Sequence, residues 1–416
     1  MGSGTAIACT ASLKRSSFVV SASVPHVLIV RGHLVTPWEL RPWHELPARF
    51  EVSVLKTRSN RYATASLGLK EVPVRALRDR MPRGLVGEVI TGLCGDRYQG
   101  SDVETAYARA DIVHAEELSF WFAADAARRR SHGGFKLVQT VWETIPFLST
   151  YRNRHARQFR EEVLAHTDLF LPATERAREA LLLEGVPEER MTVCLPGIDV
   201  GRFGASAPAA MGSEHVVLSP GRLVWEKGHQ DVLRAIAALH RGVVTGPDGI
   251  VARPRLLIVG SGAEEGRLRR FADELGIDAF VEFRSVAYDE MPDLFARASV
   301  MVLGSQSTAT AAVHLFDVPR VFWEEQFGLV LAEAMAAGLD IVAAANGAIP
   351  EVLRGTGTLV QPGDWMGIAR KLAVGALSRA PGERVEYPAE LVERYSTRSM
   401  AVRLAVAYDR VLAAAD

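Results

Sequence analysis

The stretch WEEQFGLVLAEAMAAGLD, residues 323–340, sets a carboxylate at each end of a glycine-started apolar helix pattern. Glu325 precedes the Phe327-Gly328-Leu329 step, and Glu333 lies five residues beyond the glycine. The first N–H groups of a helix have no partner within it, so the amides of Phe327, Gly328 and Leu329 offer a phosphate site. Gly328, without a side chain, lets a ligand approach the main chain closely. A carboxylate at Glu333 can accept two ribose hydroxyls, as an acidic residue does in dinucleotide sites. Glu325, on the other side of the phosphate, would face whatever is esterified to it, and a sugar with hydroxyl groups fits. The spacing suits a nucleotide diphosphate-sugar with one glutamate at each end. Taken singly, either glutamate reads more readily as a solvated charge.

A second motif adds cations. In SPGRLVWEKGHQDVL (219–233) a strand end passes through Pro-Gly to Arg222 and Lys227 before a helix begins. A planar guanidinium and a compact ammonium can both neutralise a departing diphosphate; the alternative is an ordinary surface turn. The VGSG turn (259–262), with Gly260 as a candidate nucleotide contact, is as much a packing feature as a binding one.

These residues need elements to hold them. Short β-branched runs alternate with amphipathic stretches from HVLIVRG (26–32) through MTVCLPG (191–197), and again from HVVLSPG (215–221) to TLVQP (358–362). Near-continuous apolar runs suit parallel strands buried on both faces, joined by helical crossovers. The expected fold is α/β, with two Rossmann-like doubly wound domains facing a central cleft. Ligands bind at the C-terminal ends of such strands, which places the motifs at the cleft. The boundaries expected are a leader over 1–24, a first domain over 25–200 and a Gly/Ala/Ser/Pro-rich linker over 201–213. A second domain over 214–388 and a helical tail over 389–416 complete the chain. At 416 residues it exceeds what one core usually serves.

The formal charge of −1 gives no global attraction to nucleic acid, so none is expected as a partner. Three dispersed cysteines, Cys9, Cys94 and Cys194, exclude a disulfide framework and fit a reducing cytosol. No apolar run is long enough to span a membrane. No Asp-x-Asp pair and no His/Cys cluster with ligand spacing occurs, so no metal site and no resident cofactor is expected.

With GRLVWEKG, VGSG, EQFGLVLAEAMAAG and NGAIPEVL in its second half, and TVWETIPF, DLFLPAT and LPGIDVGRF more loosely in its first, the chain resembles glycosyltransferase family 4. These are retaining nucleotide-sugar transferases with the GT-B fold. The resemblance, over roughly residues 26–412, implies that Arg222 and Lys227 bind the donor diphosphate. It implies Glu325 on the donor sugar, Glu333 on the ribose, and the 327–329 amides on phosphate and sugar. The base would lie against backbone near 282–287, around Arg284, with UDP favoured over GDP. The final helix would cross back onto the first domain, which carries the acceptor.

Three departures from the family pattern matter. Trp142-Glu143 stands where many members have a His-Asp pair, whose histidine usually approaches the donor sugar, and the first glycine-rich loop is reduced to Gly32 and His33. Gly32, His33, Trp142 and Glu143 are therefore the substrate-binding candidates, His33 reading also as a structural histidine. Residues 306–323 lengthen the loop before the main motif, as a lid or acceptor wall. Seven arginines in ARRRSH (127–132) and YRNRHARQFR (151–160) suit a phosphorylated acceptor or an anionic membrane surface, or else a solvated helix face. The acceptor class (small molecule, glycan or lipid-linked) stays open, as does peripheral contact with the inner membrane surface. A front-face mechanism, in which the leaving phosphate helps deprotonate the acceptor, is the expected chemistry. A catalytically silent nucleotide-sugar-binding subunit and an epimerase or phosphorylase of the same fold are the competing readings.

Overall fold

A computed structural model describes residues 24–414 apart from 34, 61, 63, 65–66, 82–85, 88–89, 91–96, 149–153, 206–213 and 310–321. The leader, Cys9, Cys94, Arg152, most of the expected linker and most of the long loop at 306–323 lie outside the described residues.

Two sheets carry the architecture. The first is built from β1 (His26–Val30), β2 (Glu51–Thr57), β3 (Lys70–Ala76), β4 (Tyr98–Gln99), β5 (Ile112–Glu116), β6 (Lys136–Val141) and β7 (Leu169–Pro172). Its order is β4-β3-β2-β1-β5-β6-β7, parallel except for the β3–β4 edge pair. The second holds β8 (Val216–Pro220), β9 (Arg255–Val259), β10 (Val281–Arg284) and β11 (Val300–Leu303), then β14 (Asp340–Ala344) and β15 (Thr358–Val360). Its order is β10-β9-β8-β11-β14-β15, parallel throughout. Between β11 and β14, β12 (Thr308–Ala309) and β13 (Phe322–Trp323) pair antiparallel. The expected fold class is the one found: both faces of each sheet are covered, so the central strands are mostly apolar and buried, while β3 and β10 toward the edges are charged and partly exposed.

In each sheet the strand order reverses direction once, between β1 and β5 and between β8 and β11. At such a switch point neighbouring loops leave to opposite sides and open a crevice above the strand ends. The Arg222–Lys227 loop follows β8 and the Glu325 loop follows β11, so the second sheet's reversal puts both motifs side by side.

The sequence reading differs from the structure at four places, the first being β5, whose run was not among the expected strands. MTVCLPG is no strand. Met191 bridges Phe170 and two further amides bond β7, but Pro172 has no N–H to return to the Thr192 carbonyl, which interrupts the ladder there. The expected linker begins as the helix Val200–Gly204, capped by the Asp199 side chain. Its Phe203 is fully buried against Phe295, so these residues belong to the second half's core. The tail is two helices. Ala389–Arg394 stays on the second half, where the following Tyr395 hydroxyl donates to the Val352 carbonyl at 2.9 Å. Thr397–Ala413 then covers one face of the first sheet.

The two chain crossings between the halves run side by side. The Ile198 amide donates to the Tyr395 carbonyl at 2.8 Å and the Thr397 amide to the Ile198 carbonyl at 3.0 Å. On the first sheet the final helix is fixed by a buried polar relay. Tyr408 hydroxyl accepts from the Trp43 indole at 2.8 Å and meets His114 Nδ1 at 2.6 Å, while His114 Nε2 meets the Thr140 hydroxyl at 2.7 Å. Burial holds the His114 pKa well below the usual histidine range, so the ring is neutral and can serve both partners. Among the described residues no helix is long and apolar enough to cross a membrane.

Candidate active site

β8 ends at Pro220, and the chain turns through Gly221 into Arg222, which is exposed at the cleft. His229, the first residue of the helix His229–His240, braces this turn from behind. Its Nε2 donates to the Arg222 carbonyl at 3.2 Å and its Nδ1 faces the Ser219 hydroxyl at 2.9 Å. Burial lowers its pKa to about 4, which keeps the ring neutral and this division of roles fixed. Gly260, at the end of β9, runs against the same turn. At φ +152°, a Cβ there would sit 1.9 Å from the Gly221 carbonyl oxygen. Gly260→Ala is therefore expected to cost about 3 kcal/mol from strain and overpacking together, read as a lowered denaturation midpoint.

Lys227 and Glu325 meet across the switch point. The ammonium lies 2.8 and 2.7 Å from the two carboxylate oxygens, with both side chains largely buried. Glu325 also accepts from the Ser305 hydroxyl at 2.8 Å, and its own amide donates to the Asn346 side chain at 2.6 Å. The Trp323 ring lies 5.0 Å from the ammonium, so the cation is held from a third side. Glu325 is thus no solvated loop charge; it is a fixed acceptor at the mouth of a helix.

That helix is Leu329–Ala336, capped by Gly328 in the left-handed region at φ +78°. The Phe327 side chain is core, packed on Trp142 and Tyr395, so only its main chain is available to a ligand. Glu333, one turn in, is buried and accepts from the Tyr288 hydroxyl at 3.0 Å. Burial raises its pKa to about 7, against the opposing pull of the Tyr288 hydrogen bond and the Arg202 charge.

Two adjoining cavities, of about 590 and 1010 Å³, share Trp38, Arg222 and Leu329 and form one cleft. Arg222, Lys227, Glu325, Phe327, Gly328 and Leu329 line the first, and Arg222, Gly260, Leu329 and Glu333 the second. Trp142 and Glu143 face the first cavity from the opposite sheet. Trp142 is held by Glu116 through its indole and by Glu117 through its amide, at 3.0 Å for the latter.

The other candidates fall elsewhere. Gly32 donates its amide to the Tyr98 hydroxyl at 3.0 Å and abuts the Phe122 ring, and neither Gly32 nor His33 lines either cavity. The Arg284 side chain pairs with Glu282 at 2.5 Å on the surface, while the following Val286, Ala287 and Tyr288 reach the second cavity. The arginine-rich helices are mostly neutralised: Arg128 pairs with Glu162, Arg129 with Asp125 and Glu104, Arg130 with Asp168, and Arg160 with Glu184. None of these four arginines lines the cleft.

Sequence reasoning passed over Tyr288, Ser305, Asn346, Glu39 and Glu116. Asn346 stands in the NGAIPEVL motif, where a side chain beside an obligatory glycine was a usable signal. Glu39 lies in the cleft wall with its pKa raised to about 7, by burial first and by Glu116 second. Nothing in the local pattern of its helix, Pro37–His44, marks it.

Comparison with known families bears on this geometry. The pattern described as "Glycosyl transferases group 1" matches residues 207–377, and that described as "Glycosyltransferase Family 4" matches residues 98–202. The chain belongs to this glycosyltransferase family. Curated relatives named D-inositol 3-phosphate glycosyltransferase, from Mycobacterium tuberculosis and Mycobacterium bovis, are 34% identical over 222 residues. That match takes in 49% of this chain and 41% of theirs, so less than half the length of those relatives is matched. Among solved structures, sucrose-phosphate synthase from Thermosynechococcus elongatus superposes with a TM-score of 0.67 at 18% identity, covering 94% of this chain and 100% of that one. HepE from Anabaena, solved with UDP and glucose, gives 0.66 at 16% identity, covering 93% and 99%. At such identities these structures speak for the GT-B fold alone.

Proposed function

We propose that this family member transfers a sugar, with retention, from a UDP-sugar to a hydroxyl group, using no bound metal. The observation that carries the reading is the Lys227–Glu325 pair beside Arg222 at the N-terminus of the motif helix, with Glu333 buried at its far side. In this reading Arg222, Lys227 and the 327–329 amides take the diphosphate and stabilise its charge as it leaves. Glu325 holds donor-sugar hydroxyls, and Glu333 the ribose. The leaving phosphate helps deprotonate the acceptor on the same face. The second half serves as donor domain and the first as acceptor domain. Closure about the paired crossings at 198 and 396 excludes water and protects the donor from hydrolysis. UDP is favoured by the resemblance and by the UDP complexes of the Anabaena neighbour.

The acceptor wall argues for one class of compound. Glu39, Glu116, Glu117, Glu143 and Glu184 line it from the first half, and no Lys or Arg of that half is among the described residues lining this cavity. Arg31 pairs with Glu116 and Arg160 with Glu184, yet the wall holds more carboxylates than these two cations offset. Such a surface repels phosphate, so the acceptor is read as an unphosphorylated polyol, in contrast with the phosphorylated compound in the mycobacterial relatives' name.

UDP release from UDP-glucose, UDP-galactose and UDP-N-acetylglucosamine, with EDTA present, tests both statements. Turnover is expected with one of them and with myo-inositol or glucosamine as acceptor, at least tenfold above myo-inositol 1-phosphate or glucose 6-phosphate. UDP binding with no turnover on any acceptor would instead support a silent nucleotide-sugar-binding subunit.

A further inference from the structure

Tyr288 joins the two halves at the nucleotide side of the cleft. Its ring lies 4.9 Å from Trp38 of the first half at an interplanar angle of 35°. Trp38 in turn meets the Tyr62 ring edge-on at 5.0 Å. The Arg202 guanidinium also lies 5.2 Å from the tyrosine ring centroid. All of this ends in one polar contact, the 3.0 Å hydrogen bond from the Tyr288 hydroxyl to Glu333 Oε1. The tyrosine is largely buried by these neighbours, and burial together with the Glu333 charge pushes its own pKa far up, so it stays a donor.

We propose that Tyr288 is a positioning residue for nucleotide binding: its hydroxyl orients the Glu333 carboxylate toward the ribose, while its ring docks Trp38 of the first half. This rests on the nucleotide reading of the cleft given above. With Oε1 held, the remaining acceptor positions of this cavity-lining carboxylate are left for paired ribose hydroxyls. Holding the nucleotide and holding the cleft shut then become one event, because the same ring serves both. The hydrogen bond also favours the ionised form of Glu333, which a buried carboxyl otherwise resists.

The charges facing Glu333 fix the sign of the pH effect. Arg202 from the helix Val200–Gly204 favours ionisation, partly offset by Asp289, which pairs with Arg202 at 3.0 Å, and Arg222 lines the same cavity. Burial outweighs these, so the carboxyl titrates at about 7 and loses its acceptor capacity as pH falls below that. Removing the tyrosine hydroxyl deletes a favourable contact with the ionised form, which moves the transition to higher pH.

Titration calorimetry of UDP into the full chain between pH 6 and pH 9 tests this on wild type, Tyr288→Phe and Trp38→Ala. Wild type is expected to bind more weakly as pH falls through about 7. Tyr288→Phe should bind roughly tenfold more weakly at pH 7 and approach wild type by pH 9, its transition displaced upward. Trp38→Ala should weaken binding by a similar factor at every pH, with the transition unmoved. A Tyr288→Phe transition coincident with that of wild type overturns the positioning role, as does unchanged affinity in Trp38→Ala for the docking role. Wild type that binds no UDP at any pH overturns the nucleotide reading itself, a result distinct from both.

Discussion

Glu333→Gln should make the ligand-free protein more stable at pH 8 while abolishing most of its gain from UDP. The carboxyl titrates near 4.5 when unfolded and at about 7 when folded, because burial penalises its charge. Between those values only the folded state holds the proton, so stability is full below about pH 4.5 and falls as pH rises through 7. The group thus burdens the native state at pH 8 by an amount on the order of 3 kcal/mol. A glutamine carries no charge and still accepts from the Tyr288 hydroxyl. Its melting temperature should exceed that of wild type by several degrees at pH 8, with the difference shrinking below pH 5. Saturating UDP should raise the wild-type melting point by the equivalent of about 2.7 kcal/mol at one hundred times the dissociation constant, and the variant's far less. Equal UDP-induced shifts in the two proteins would remove Glu333 from the ribose. A destabilised variant at pH 8 would contradict the burial argument. Trading stability for a functional charge in this way is common at binding sites.

Lys227→Met should lower transfer by about a hundredfold to a thousandfold, the loss expected when a preorganised charge on a leaving group is removed. It should also destabilise the chain by about 3 kcal/mol, because Glu325 is left charged and largely buried, with the Ser305 hydroxyl as its one side-chain donor among the described residues. The two effects are separable. Adding Glu325→Gln to Lys227→Met removes the stranded charge, so the double variant should regain most of the lost stability and none of the activity. Denaturant titration and UDP release on wild type, Lys227→Met, Glu325→Gln and the double variant give both readings. Recovery of turnover in the double variant would show that the pair acts structurally, with the diphosphate held elsewhere.

The elements were legible where periodicity is strong. Apart from MTVCLPG, the β-branched runs of both halves became strands of two largely parallel sheets, and the glycine before the motif helix marked its start. What local pattern cannot carry is pairing across sequence. The arginine-rich helices read as a basic surface, yet Arg130 meets Asp168 and Arg128 meets Glu162 on distant segments. Composition likewise hid Phe203: its Gly- and Ala-rich surroundings suggested a linker, while a single aromatic residue decides that the segment packs. The Glu325–Lys227 contact spans 98 positions and the Tyr288–Glu333 contact 45, so only the reversal of strand order brings them together. Trp38 and Glu39, in a helix of ordinary composition, become cleft residues only once the two sheets face each other.

The helix Thr397–Ala413 has a consequence for how the chain is made. It supplies Leu404, Tyr408 and Val411 to a core whose other members, among them Val27, Ile29 and Trp43, are synthesised some 370 residues earlier. During translation the first sheet can pair its strands, but one of its faces stays uncovered until nearly the whole second half has left the ribosome. Contacts of such long sequence separation are entropically costly to close and leave apolar surface open to wrong partners in the interval. The second half, whose sheet is assembled from contiguous segments, carries no such debt and can mature first. The nascent first half is therefore the part most in need of chaperone protection, and synthesis of this helix, rather than completion of its own strands, sets when it becomes native.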